Sequence, residues 1–189
     1  MINRILIRIK VVQMLYSYLL TRKEFKLEVA PETASRDKKY AYTLYLDLFI
    51  LLLKLSGYSL EKGIPQKKDS SNLLSSLKIT KSLISYDEIR RYISQIDNKW
   101  DSSLISRLYS LIINSVVYKD FKKNKSPEIQ DEVLFWTNIV NTIILREPLF
   151  IESLRNDSQF TNVGFEQGIS MFLNTLSDYC DSRTLLLNA

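Results

Sequence analysis

The chain has 189 residues, 46% apolar and 25% charged, a balance that supports a buried core in one large domain or two small ones. It holds no histidine and one cysteine, Cys180. This excludes histidine acid–base work, histidine-dependent nucleophile triads, an internal disulfide and a thiolate metal cage, and fits a reduced, cytoplasmic setting. The net charge of +5 hides an asymmetry: residues 1–125 carry 23 Lys/Arg against 12 Asp/Glu, and residues 126–189 carry 3 against 9. The basic front part fits a polyanion partner or a merely solvated surface. Only four glycines and four prolines are present, too few for a turn-rich sandwich or barrel, so an all-α bundle of six to seven helices in a single domain is expected.

The first predicted helix runs from about Asn3 to Leu20. Ile2, Ile5, Ile9, Val12, Tyr16 and Leu19 recur at helical spacing, and Ile7, Val11, Met14, Leu15 and Tyr18 cover most of the other side. Lys10, Gln13 and Ser17 form a narrow polar strip, the mark of a buried helix with one slit open. Met1-Ile2-Asn3-Arg4 leads into a segment broken by Arg8, Lys10 and Gln13, so it is no signal-peptide core.

Residues 21–34 read as a polar connection. Ser35 is the predicted N-cap of a second helix and Gly57 its C-cap. The apolar run Leu48 to Leu53 within it is too short to span a bilayer, so no membrane contact is expected. Residues 58–82, with Gly63, Pro65 and several serines, read as a flexible loop or boundary.

Tyr86 to Ile96 is a predicted short helix with Ile89, Tyr92, Ile93 and Ile96 inward, and Ser102 to Phe121 a longer one with Leu104, Ile105, Leu108, Ile112 and Val116 on one face. Ser126-Pro127 opens a helix to about Arg146 with Val133, Trp136, Ile139, Val140, Ile143 and Ile144 inward. Pro148 opens a short helix to Arg155. Thr161 to Tyr179 forms the next, with Phe165, Ile169, Phe172 and Leu176 in line. Asp181-Ser182 then reads as a fresh N-cap followed by an apolar start without a stop signal, so the chain is expected to be the front part of a longer protein.

No Gly-rich phosphate loop exists, and the acidic pairs Asp87-Glu88 and Asp131-Glu132 are adjacent, so their side chains diverge on a helix. Both sit in predicted first turns, where the helix dipole explains them. No enzyme and no cofactor are expected. The candidate binding chemistry is basic and aromatic: Arg4 and Arg8 one turn apart, the slit residues Lys10, Gln13 and Ser17, then Arg22 and Lys23. Cations beside free N–H groups at a helix start suit phosphate oxygens, and Tyr16 and Tyr18 either stack on unpaired bases or pack in the core. A second cluster, Lys119, Lys122, Lys123 and Lys125, falls at a predicted helix C-terminus, where the dipole alone accounts for it.

The stretch Arg4-Ile-Leu-Ile-Arg8-Ile-Lys10-Val-Val-Gln13-Met-Leu-Tyr16 resembles the opening helix of NusB-type transcription antitermination factors, and Lys38-Lys39-Tyr40-Ala41-Tyr42 and Asp131-Glu-Val-Leu-Phe-Trp136 resemble extended bacterial members. The resemblance implies an all-helical, non-catalytic factor that binds boxA-type single-stranded RNA together with ribosomal protein S10 in a transcription complex. Carried over by position, Arg8, Gln13 and Tyr16 match the RNA-facing helix and Arg4 its arginine-rich lead-in. The later family motif, an Asn-Glu helix followed by a Phe-x-Asn-Gly turn, is missing here. The acidic stretch Glu128 to Asp157 is the expected docking face for S10, unless its carboxylates serve only helix starts and solvated faces. The rival reading is a helical protein–protein interaction scaffold whose basic face is incidental.

Overall fold

Burial of an almost wholly apolar segment sets the architecture. Tyr40 to Leu55 belongs to helix α1, Pro31–Leu55, and all of its residues but Tyr42, Thr43 and Lys54 are buried. A helix apolar on every side must be central. The computed structural model describes residues 31–60, 66–67, 72–95 and 100–182. The chain divides into two compact units, Met1–Ser35 and Arg36–Ala189, and the architecture below is that of the second.

Helix α1 starts at Pro31, ahead of the predicted cap at Ser35, because proline's fixed φ and missing N–H suit a first turn. It stops where expected. Gly57 takes φ +85°, the left-handed conformation a C-terminal glycine supplies, and its N–H bonds to the Lys54 carbonyl at 3.0 Å. A two-rung antiparallel ladder follows, Tyr58–Ser59 with Gln66–Lys67.

The expected loop at 58–82 is overturned from Asn72 onward. Asn72 Oδ1 accepts from the Leu74 N–H at 3.0 Å, and its Nδ2 donates to the Leu55 carbonyl at 3.3 Å. A 3₁₀ turn, Leu73–Ser76, leads into α2, Lys78–Ser85, with Leu74, Leu77, Ile79 and Leu83 buried. Serines masked this apolar pattern; Ser75 and Thr80 are themselves buried and hydrogen-bonded.

Helix α3, Asp87–Gln95, buries Ile89 and Ile93 as expected, with Tyr92 half-buried; Ile96 lies outside the described residues. The single helix predicted from Ser102 to Phe121 is two: α4, Ser102–Asn114, and α5, Val116–Lys123. Ser115 breaks it in extended backbone (φ −69°, ψ 153°), and its hydroxyl oxygen accepts from the Tyr118 N–H at 3.1 Å as a new N-cap. Val116, expected on the inner face, is instead 71% exposed at the new helix start.

Helix α6, Ile129–Thr142, begins after Ser126-Pro127, because Asp131 reaches back to the Glu128 N–H at 2.9 Å and fixes the start there. It ends in a 3₁₀ turn, Ile144–Arg146. Pro148 opens α7, Pro148–Arg155, as expected. Helix α8 runs from Asn162 through Ser182, so Asp181-Ser182 lies inside a helix and is not a fresh N-cap.

The protein is all-α, with eight α-helices among the described residues; the break at Ser115 and the helix at Lys78–Ser85 account for the two that the sequence reading lacked. Helix α8 lies close against α1 where it lacks side chains. A Cβ built on Gly168 would stand 2.8 Å from the Ala41 carbonyl oxygen, and one on Gly164 would stand 2.8 Å from that of Asp37. Above this seam Phe49 meets Phe172 at 4.7 Å between ring centres, and the Tyr45 hydroxyl bonds Thr175 at 3.1 Å. Trp100 stacks on Phe150 at 5.4 Å, and Phe121 on Phe135 at 4.4 Å. Among the described residues no helix is long and apolar enough to cross a membrane.

Candidate functional site

Every residue assigned to RNA contact from sequence, Arg4, Arg8, Lys10, Gln13, Tyr16, Arg22 and Lys23, lies outside the described residues, as does Tyr18.

The second basic cluster sits where the sequence placed it. Lys119, Lys122, Lys123 and Lys125 are exposed along α5 and just beyond it, with Lys122 and Lys123 in its last turn against the negative end of the helix dipole. Lys78 of α2 joins them, its Nζ donating to the Pro127 carbonyl at 3.4 Å. Carboxylates are interleaved with the lysines: Lys123 pairs with Asp120 at 2.7 Å, and Asp131 accepts from Asn124 at 3.0 Å. A patch of mixed sign holds a phosphate chain weakly. Trp100, Trp136, Phe49, Phe150 and Phe172 are all buried and present no face on which a base could stack.

Three buried carboxylates each have a dedicated partner. Asp47 of α1 accepts from the Tyr92 hydroxyl at 2.8 Å, and its backbone carbonyl accepts from the Trp100 indole N–H at 2.9 Å. Glu132 of α6, 2% exposed, accepts from the backbone N–H groups of Lys78 and Ile79, both at 3.0 Å. It therefore caps α2, whose own N-cap, Leu77, has no side-chain oxygen. Glu147 accepts from Arg107 Nε at 2.7 Å. This corrects two expectations. Glu132 does more than complement the dipole of its own helix. The Glu128–Asp157 stretch, moreover, is not one acidic face, because Glu132 and Glu147 are turned inward.

Burial, reinforced by Asp47, raises the Tyr92 hydroxyl well above the usual tyrosine range, and burial with Asp157 and Asp47 does the same to Tyr40. Both phenols stay protonated and neither is poised as a base. Burial lowers the Lys54 ammonium, with Asp101 opposing the shift, and Lys54 Nζ donates to the Trp100 carbonyl at 3.1 Å. The hydroxyl of Ser103 bonds Asp101 and holds that exposed carboxyl below its ordinary value. These groups tie α1 to the segment around Trp100. Among the described residues no group of three or more cysteine, aspartate and glutamate side chains stands where it could hold a metal ion.

One concavity was missed in the sequence. Leu145, Phe165, Ile169 and Leu173 line a shallow groove of about 360 Å³, edged by Glu166, Ser170 and Asn174. Phe165 and Ile169 read as ordinary core positions, yet Phe165 and Leu173 are only half-buried. The available signal was a second row at i+4 spacing, Glu166, Ser170, Asn174 and Asp178, alongside the apolar one. No protein-family model, no curated protein and no solved structure matches the chain.

Proposed function

We propose that this chain is a NusB-like RNA-binding factor of transcription antitermination, contacting boxA-type single-stranded RNA together with ribosomal protein S10 and acting by binding rather than catalysis. The observation that carries the reading is the opening pattern, Arg4 and Arg8 followed by Lys10, Gln13 and Tyr16 on one predicted helix. It combines cations for phosphates with a polar strip and an aromatic ring for unpaired bases. The basic excess of residues 1–125 adds the long-range attraction such a partner needs.

The test is titration of a boxA-like RNA oligomer at several salt concentrations. Binding is expected to be weak and to fall steeply with salt, with a log–log slope of about 0.7 for each phosphate neutralised. Absence of binding at low salt overturns the reading.

A paired comparison checks the site. Arg4→Ala with Arg8→Ala is expected to weaken RNA binding by about tenfold or more, and Lys122→Ala with Lys123→Ala by less, because the latter pair sits among carboxylates. Equal losses, measured by fluorescence anisotropy, would show a diffuse charge effect rather than a site on the first helix. The groove on α8 favours the second reading, a helical interaction scaffold.

A further inference from the structure

We infer that the groove on α8 is a docking site for a basic amphipathic helix of a partner protein, a role independent of nucleic-acid contact. Its floor is a row of apolar side chains one turn apart, Phe165, Ile169 and Leu173, closed on one flank by Leu145 from the 3₁₀ turn. A row at i, i+4, i+8 with a depression beside it is the counterpart of a helix that presents its own apolar ridge at the same spacing.

Charge selects the partner. The other flank is the polar row of Glu166, Ser170 and Asn174, all exposed. The row continues to Asp178, so Glu166 and Asp178 stand about 18 Å apart along the axis. Helix α8 also carries Asp181 and holds no lysine or arginine in its 21 residues. Lysines or arginines flanking an incoming ridge therefore meet Glu166 on the groove edge, with Asp178 one turn beyond it. Helix α8 adds no competing cation, and the basic residue nearest in sequence to the lining is Arg146, beside Leu145 in the 3₁₀ turn. The same charge argues against the other occupants. A second copy docking α8 on α8 about a two-fold axis would set acidic rows against each other, and RNA or an anionic lipid surface would be repelled.

The test uses the full chain and two designed helical peptides of about 18 residues, long enough to hold helical structure. Both carry leucines at i, i+4 and i+8; one has lysines on the flanking positions and the other glutamates. Fluorescence anisotropy at low salt is expected to show the lysine peptide bound at least about tenfold tighter than the glutamate peptide. Leu173→Asp and, separately, Glu166→Lys should each weaken the lysine peptide by about tenfold, while circular dichroism melting shows the fold retained; Leu173 is only half-buried in the groove floor and Glu166 is exposed on its edge. No binding of the lysine peptide, equal binding of the two peptides, or binding unaffected by Leu173→Asp would each overturn the proposal. So would sedimentation that shows a dimer abolished by Leu173→Asp, which would assign the groove to a second copy.

Discussion

Gly168→Leu is expected to destroy the folded state, and Gly168→Ala to lower the free energy of unfolding by about 1–2 kcal/mol. On an ordinary helix, glycine to alanine stabilises by about 1 kcal/mol. Here the new Cβ would sit 2.8 Å from the Ala41 carbonyl oxygen and 3.1 Å from a methyl of Leu44. The carbonyl belongs to the backbone of α1 and has no rotamer to escape into, so the helices must separate along a seam that also carries Phe49, Phe172, Tyr45 and Thr175. Overpacking of this kind costs about 1–3 kcal/mol for small additions, which outweighs the gain in propensity. A leucine adds three further carbons at the same point, and the loss should exceed about 5 kcal/mol, the whole margin of a domain at the low end of ordinary stability. Denaturant unfolding followed by circular dichroism reads both variants. A Gly168→Ala protein as stable as the wild type would mean that α1 and α8 do not meet at this point.

Glu132→Ala should lower stability by about 3 kcal/mol, through loss of two charge-assisted hydrogen bonds to the N–H groups of Lys78 and Ile79. Ile79 is buried, so water does not readily replace the acceptor there. The damage should be local as well as global. Amide hydrogen exchange is expected to show α2 losing protection before α8 does, because α2 has no side-chain cap of its own. Glu132→Gln keeps one acceptor and places an amide N–H₂ where the second should be, so it should recover only part of the loss. A change within about 0.5 kcal/mol for Glu132→Ala would remove the cap from the account of the fold.

The helical class was legible in the sequence because the strongest signals are local. The end of α1 at Gly57 and the start of α7 at Pro148 need only glycine's and proline's own backbone preferences. The inward positions of α6, Val133, Trp136, Ile139 and Val140, follow from periodicity. The failures share a different cause. Ser115 is compatible with a helix interior by propensity, and only its observed cap geometry separates α4 from α5. Glu132 looks like a first-turn acid until α2, more than fifty residues earlier, is placed against it. Asp181-Ser182 resembles a cap because its residue types are those that open helices, although here the pair continues one. The groove depends on which part of an apolar arc its neighbours leave uncovered, and that is decided by tertiary packing. The opening motif was legible as a pattern of residue types, and its assignment to RNA rests on that pattern.

The seam between α1 and α8 also has a consequence in time. A ribosome completes α1 at Leu55, but the side chains that cover it from α8, beginning with Phe172, are encoded 117 residues later. At about 5–20 residues per second, translation takes roughly 6 to 23 s to cross that interval. For those seconds the nascent polypeptide displays one of its most apolar segments without its final cover, and the glycines that let α8 close on it have not yet been made. Synthesis of this protein is therefore a period of exposure to chaperones and to aggregation, and its length is set by the distance in the message between the two halves of one contact.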